Sequence, residues 1–153
     1  MLEMGGGACQ PTKALASFFP NSTFTATDLS SSNVQIAQVN VEGKLFLYII
    51  DHWPHVTRKD NFFQIVKHFV GLSNVQCKVL DACNVPGDMK EQFDLIMLFD
   101  VYHDVPHPQK LIDGALKLLK KGGQFLMNEI LAHERVTDNK NSQGVLFTEY
   151  IFN

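Results

Sequence analysis

The chain has 153 residues, which suits one domain of ordinary size and leaves no room for two full ones. Hydrophobic residues make up 45% and charged residues 19%, enough apolar material for a real core and too much for global disorder. A formal charge of −3 argues against a nucleic-acid surface built on bulk positive charge, and three cysteines without a CxxC pair argue against a disulfide scaffold or a Cys-rich zinc site.

In chain order, Met1 to Met4 reads as the end of a strand that stops at Gly5-Gly6-Gly7. Pro11 and Thr12 open a helix whose Ala14, Leu15, Phe18 and Phe19 share one face, and Pro20-Asn21 ends it. Thr23 to Thr27 is β-branched and aromatic, a strand ending at Asp28. Ser30 to Ser32 supply N-cap candidates for a helix carrying Val34, Ile36, Ala37 and Val39. About Val41 to Val70 breaks this rhythm and reads as an inserted segment, with a helix from Asp60 to Val70. His52 and His55 lie in it with no further ligand types nearby, so no metal site is expected.

Val75 to Leu80 is the next strand, ending at Asp81. Phe93 to Phe99 is almost wholly apolar, as a strand covered on both faces should be. Pro108 to Leu119 predicts a helix with Leu111, Ile112, Ala115, Leu116 and Leu119 on its stripe, stopped by Gly122-Gly123. Phe125 to Ile130 is the fifth strand. Alternating strands and helices specify an α/β fold with a mostly parallel sheet.

Ligands of such sheets bind at the C-terminal strand ends. Those ends carry Glu3 with the glycine turn, Asp28, Asp81-Ala82, Asp100 to Asp104, and Asn128-Glu129. Gly5 and Gly7 let a ligand approach the backbone. Asp28, some 20–25 residues on, stands where a carboxylate accepts both hydroxyls of a ribose. Gln10 occupies the place of the third glycine of a dinucleotide fingerprint, and no P-loop is present, which favours a nucleoside without a pyrophosphate.

The stretch LEMGGGACQPTKALASFFP resembles motif I of class I S-adenosylmethionine-dependent methyltransferases. ATDLS resembles their second acidic motif and GLSNVQCKVLDACNVP their third. FDLIMLFDVYHDVPHPQKLIDGALKLLKKGGQFLMNEI resembles their fourth and fifth strands, in the type that carries an N-terminal winged-helix domain. The resemblance implies a Rossmann-like, doubly wound, mostly parallel sheet lacking its last two strands. One methyltransferase-like domain would then span 1–153, truncated, with the insertion at 41–70 and a closing helix that includes Val145, Leu146, Tyr150 and Ile151.

It also implies S-adenosyl-L-methionine as cofactor. Glu3, Gly5 and Gly7 would lie along its methionine part, and Asp28 would hold the ribose with Leu29 on the adenine. Asp81 and Ala82 would meet the adenine, and Phe99 and Asp100 the methionine moiety. His103 is the candidate base, with Asp104 to orient it. Cys9 replaces the loop's last glycine, a change tolerated if the position does not need φ > 0. The expected acceptor is a small molecule, with a silent cofactor-binding or regulatory remnant as the alternative. The open edge of the fifth strand would invite a second copy or another partner. No membrane role is expected, since Leu45 to Ile50 falls far short of the ~20 apolar residues of a span. A cytoplasmic setting follows from the lack of a secretory signal.

Overall fold

The computed structural model describes residues 1–43 and 71–129 and the backbone of 130 and 147–152. Most of the inserted segment, including His52, His55 and the expected helix from Asp60, lies outside the described residues. The chain divides into two compact units, Met1–Asp81 and Ala82–Asn153.

The first unit contains β1 (Leu2–Met4), α1 (Gln10–Phe18), β2 (Phe24–Asp28), α2 (Ser31–Val41) and β3 (Val75–Val79). Its strands are parallel, with β2 between β1 and β3. The helices pack on the strands through Cys9, Ala16, Phe24, Ala26, Ala37, Val41 and Val75. Ser30 caps α2, its hydroxyl accepting from the Asn33 amide at 3.3 Å. The C-terminal end of α1 is closed from a distance: the Asn74 side-chain amide donates to the carbonyls of Ala16, Phe19 and Ser22 at 3.2, 3.3 and 3.0 Å. The Ala16 carbonyl, in the last turn of α1, is one that a helix end leaves without an intrahelical partner, since the residue four positions on is Pro20.

Two helix faces differ from the expected ones. α1 buries Thr12, Lys13 and Ala16, and leaves Phe18 and Phe19 exposed. In α2 only Ala37 and Val41 are buried, with Ile36 and Val39 exposed. Small residues fit where helix meets strand closely, so the large apolar side chains that suggested a core stripe point elsewhere.

The second unit contains β4 (Phe93–Phe99), a 3₁₀ turn (Tyr102–Asp104), α3 (Pro108–Leu118), β5 (Leu119–Ile130) and β6 (Phe147–Phe152). β4 has the bounds read from sequence, and Ile96, Met97 and Leu98 in it are wholly buried. β5 runs parallel to β4 and antiparallel to β6. The helix expected through Tyr150 and Ile151 is therefore a strand, and β5 is not an edge.

The glycine pair also acts differently. α3 ends at Leu118, its last carbonyls met by the amides of Glu91 and Gln92 at 3.0 and 2.8 Å. Gly122-Gly123 lies within β5, where the register moves from Phe93↔Leu119 to Leu95↔Gln124. Gly122 takes φ 76°, and a Cβ on Gly123 would stand 2.8 Å from Leu119 Cδ1. These glycines shape an outward excursion of the strand.

Candidate functional site

In the first unit, the turn after β1 uses left-handed conformations, with φ 70° at Gly5 and 51° at Gly7. The Gly6 amide donates to the Thr27 carbonyl at 2.8 Å, and the Cys9 amide to the Gly6 carbonyl at 2.7 Å. The Gly7 amide donates to Asp28 Oδ2 at 2.9 Å. Asp28 Oδ1 accepts from the Ser30 amide at 2.8 Å and from Asn33 Nδ2 at 3.2 Å. One half-buried carboxylate thus joins the glycine turn to the start of α2. Leu29 beside it is largely exposed. The Leu80 amide donates to the Asp28 carbonyl at 3.0 Å, which sets the end of β3, just before exposed Asp81, alongside.

Glu3 lies under the turn. It is buried, and its Oε2 accepts from the Thr12 amide at 3.3 Å. Burial pushes its carboxyl above the usual range, although the bonds from Thr12 oppose the shift. Gly6 makes room for it, since a Cβ there would come within 3.0 Å of Oε2. Cys9 sits at φ 53°, ψ 34° as the N-cap of α1, so the position does need the left-handed region and the condition for tolerating cysteine is not met. Its thiol, chiefly through burial, is pushed up to about 12, which leaves no thiolate for nucleophilic work.

In the second unit, the loop after β4 gathers around Glu129, at the end of β5. The amides of Val101 and Tyr102 donate to Glu129 Oε1 at 2.8 and 2.6 Å. His103 Nδ1 lies 2.9 Å from Oε2 of the same carboxylate. Asp100, with φ 60°, has its Oδ1 3.7 Å from Nδ1, and Asp104 Oδ1 lies 3.3 Å from Nε2. The hydrogen bond that its ring donates to Glu129, with the neighbouring carboxylates, raises the affinity of His103 for a proton above its ordinary value despite some desolvation. Burial alone would raise Glu129, but the bonds from His103, Tyr102 and Val101 outweigh it and hold the carboxyl below the usual range.

The buried carboxylate on Nδ1 is therefore Glu129, and Asp104 stands at the other ring nitrogen. Sequence placed Glu129 at a strand end without a role, because its contact with His103 spans 26 residues and leaves no local spacing to read. Ala82 and Phe99 are both half-buried. Ala82 is packed against α3, where a Cβ on Gly114 would overlap its carbonyl oxygen.

A family model described as a methyltransferase domain matches residues 2–127. A ubiquinone biosynthesis O-methyltransferase of Pseudomonas fluorescens is 29% identical over 82 residues, covering 51% of this chain and 32% of that protein. The chain thus spans about a third of the length of such curated relatives. Among solved structures, a Bacillus halodurans protein has a TM-score of 0.61 at 22% identity, over 89% of this chain and 46% of its own. A SAM-dependent methyltransferase of Aquifex aeolicus has a TM-score of 0.59 at 16% identity, over 88% of this chain and 58% of its own. These likenesses show the Rossmann-like α/β fold. Among the described residues no helix is long and apolar enough to cross a membrane.

Proposed function

The chain belongs to the methyltransferase domain family, and we propose that it transfers a methyl group from S-adenosylmethionine to a hydroxyl oxygen of a small molecule. The bond between the sulfonium sulfur and the methyl carbon breaks as the new oxygen–carbon bond forms. The sulfur keeps the bonding electrons, and the hydroxyl proton passes to His103. Alignment and exclusion of water supply most of the acceleration in such a displacement.

The observation that carries the oxygen acceptor is the imidazole of His103, fixed at 2.9 Å by the mostly buried Glu129. A hydroxyl must shed its proton to become a good nucleophile, and a positioned histidine backed by a carboxylate is a competent receiver. The name of the P. fluorescens relative, an O-methyltransferase, agrees with an oxygen acceptor.

The cofactor assignment draws on the turn after β1. The amides of Gly6, Gly7 and Cys9 are all engaged within the protein, so they are not free to cradle a pyrophosphate. This favours a sulfonium nucleoside over a dinucleotide. In this reading Glu3, Gly5 and Gly7 serve the methionine end, and Asp28 and Leu29 the ribose and adenine. Asp81 and Ala82 contact the adenine, and Phe99 and Asp100 the methionine.

The test is calorimetric titration with S-adenosylhomocysteine and, separately, NAD, followed by labelled-methyl transfer to a panel of phenols and other alcohols. Binding of the sulfur nucleoside with turnover of a hydroxyl acceptor is expected; binding of NAD alone overturns the reading.

A further inference from the structure

We propose that Asp100, His103 and Glu129 form a site for a divalent cation of the zinc class. Each offers one ligand atom, and the three atoms lie within 4.8 Å of one another. His103 Nδ1 is 2.9 Å from Glu129 Oε2 and 3.7 Å from Asp100 Oδ1. With metal–ligand bonds of ~2.0–2.2 Å, two ligands of one ion stand ~3.0 Å apart at a right angle and ~3.6 Å apart at 120°. The two separations match neighbouring positions around a single ion.

The donor set chooses the ion. One imidazole nitrogen with two carboxylates suits zinc and its first-row neighbours, whereas magnesium and calcium prefer oxygen throughout. Glu129 is prepared for the task. It is about nine-tenths buried, and the amides of Val101 and Tyr102 hold its Oε1, leaving Oε2 directed at the cluster. Such outer hydrogen bonds fix a ligating carboxylate in place. Asp100 and His103 are exposed, which gives the cation a way in and leaves coordination positions open to water.

The cation and a proton contend for the same Nδ1. Where the function proposed above holds, occupation of the site takes His103 out of proton transfer; the site itself does not depend on that function.

The experiment is zinc titration of the metal-free chain against a chromophoric chelator, with cobalt(II) as an optical reporter. Wild type should bind zinc in preference to magnesium, and Glu129→Gln and Asp100→Asn should each weaken binding by roughly 10–100-fold. Asp100 is exposed, so its variant serves even where Glu129→Gln folds poorly. Unchanged zinc affinity in Asp100→Asn overturns the proposal. So does a cobalt spectrum dominated by a thiolate charge-transfer band that disappears in Cys77→Ser or Cys83→Ser. S-adenosylhomocysteine titration of wild type keeps the two proposals apart: zinc without the nucleoside sinks the function alone, and the nucleoside without zinc sinks the cation site alone.

Discussion

Cys9 holds a backbone conformation that costs an L-residue about 1–2 kcal/mol, while its thiol is fully buried. Removing a buried group of that size costs about 1 kcal/mol. Cys9→Gly therefore exchanges one for the other and should leave stability nearly unchanged, whereas Cys9→Ala keeps the strain and loses the thiol. In urea unfolding the alanine variant should fall below the glycine variant by up to about 1 kcal/mol, the strain less the ~0.8 kcal/mol of the buried methyl group that alanine keeps; an alanine variant more stable than the glycine one would argue against strain. Glu3 gives a second prediction. Its folded carboxyl is raised by burial, so its contribution to stability is largest at low pH and is lost as pH rises from the unfolded value through the folded one. Glu3→Gln should raise the ligand-free melting temperature at neutral pH, with a gain that shrinks toward acid; a gain independent of pH would contradict this. For the ribose assignment, Asp28→Ala should weaken S-adenosylmethionine binding by ~2–3 kcal/mol through lost charge-assisted bonds. It should also lower the melting temperature without ligand, because the same carboxylate holds Gly7 and Ser30.

Among the elements, α3 is held closely enough that one methyl group decides its fit. Alanine at Gly114 would gain about 1 kcal/mol of helix propensity in isolation. Here the new Cβ would overlap the Ala82 carbonyl oxygen, and overpacking costs about 1–3 kcal/mol. Gly114→Ala should be destabilising on chemical unfolding, and a stabilised variant would mean the loop yields. β4 was readable because its apolar run has only one short interruption, Asp94, which pairs with Lys120 outside the core. β5 begins at Leu119, six residues before the apolar run that marks it in the sequence, because Lys120-Lys121-Gly122-Gly123 carries the charges and glycines of a helix end and conceals the strand. The helix expected to include Val145, Leu146, Tyr150 and Ile151 follows from the order of elements in the family that the chain resembles. Within the ladder the same region is Phe147–Phe152, paired residue for residue with β5, and that pairing overrides any local helical preference.

Over the whole molecule, the sequence yields the class of fold and the carboxylates at strand ends, because hydrophobic period and turn chemistry are local properties. It does not yield the His103–Glu129 contact or the closure of α1 by Asn74, because both are made between residues far apart in the chain. β6 also carries a consequence for handling the protein. A chain ended before Phe147 would leave β5 with a row of unpaired backbone groups, a template for other chains. Such a truncation should form larger species in sedimentation velocity, and a wholly monomeric product would show that β5 tolerates exposure.

The outward excursion of β5 has one further effect. Side chains alternate along a strand, so a slip of a single residue against β4 would send Glu129 to the opposite face and bring Asn128 or Ile130 in its stead. An uncharged amide or an alkyl group there would forfeit the negative partner of the imidazole. The looped-out glycines peg the two strands at Phe99↔Asn128 and make the pairing with His103 a matter of chain length between Leu119 and Gln124. Removing one residue from that interval, with His103 and Glu129 both retained, should break the contact between them and lower the proton affinity of the imidazole, read by NMR titration.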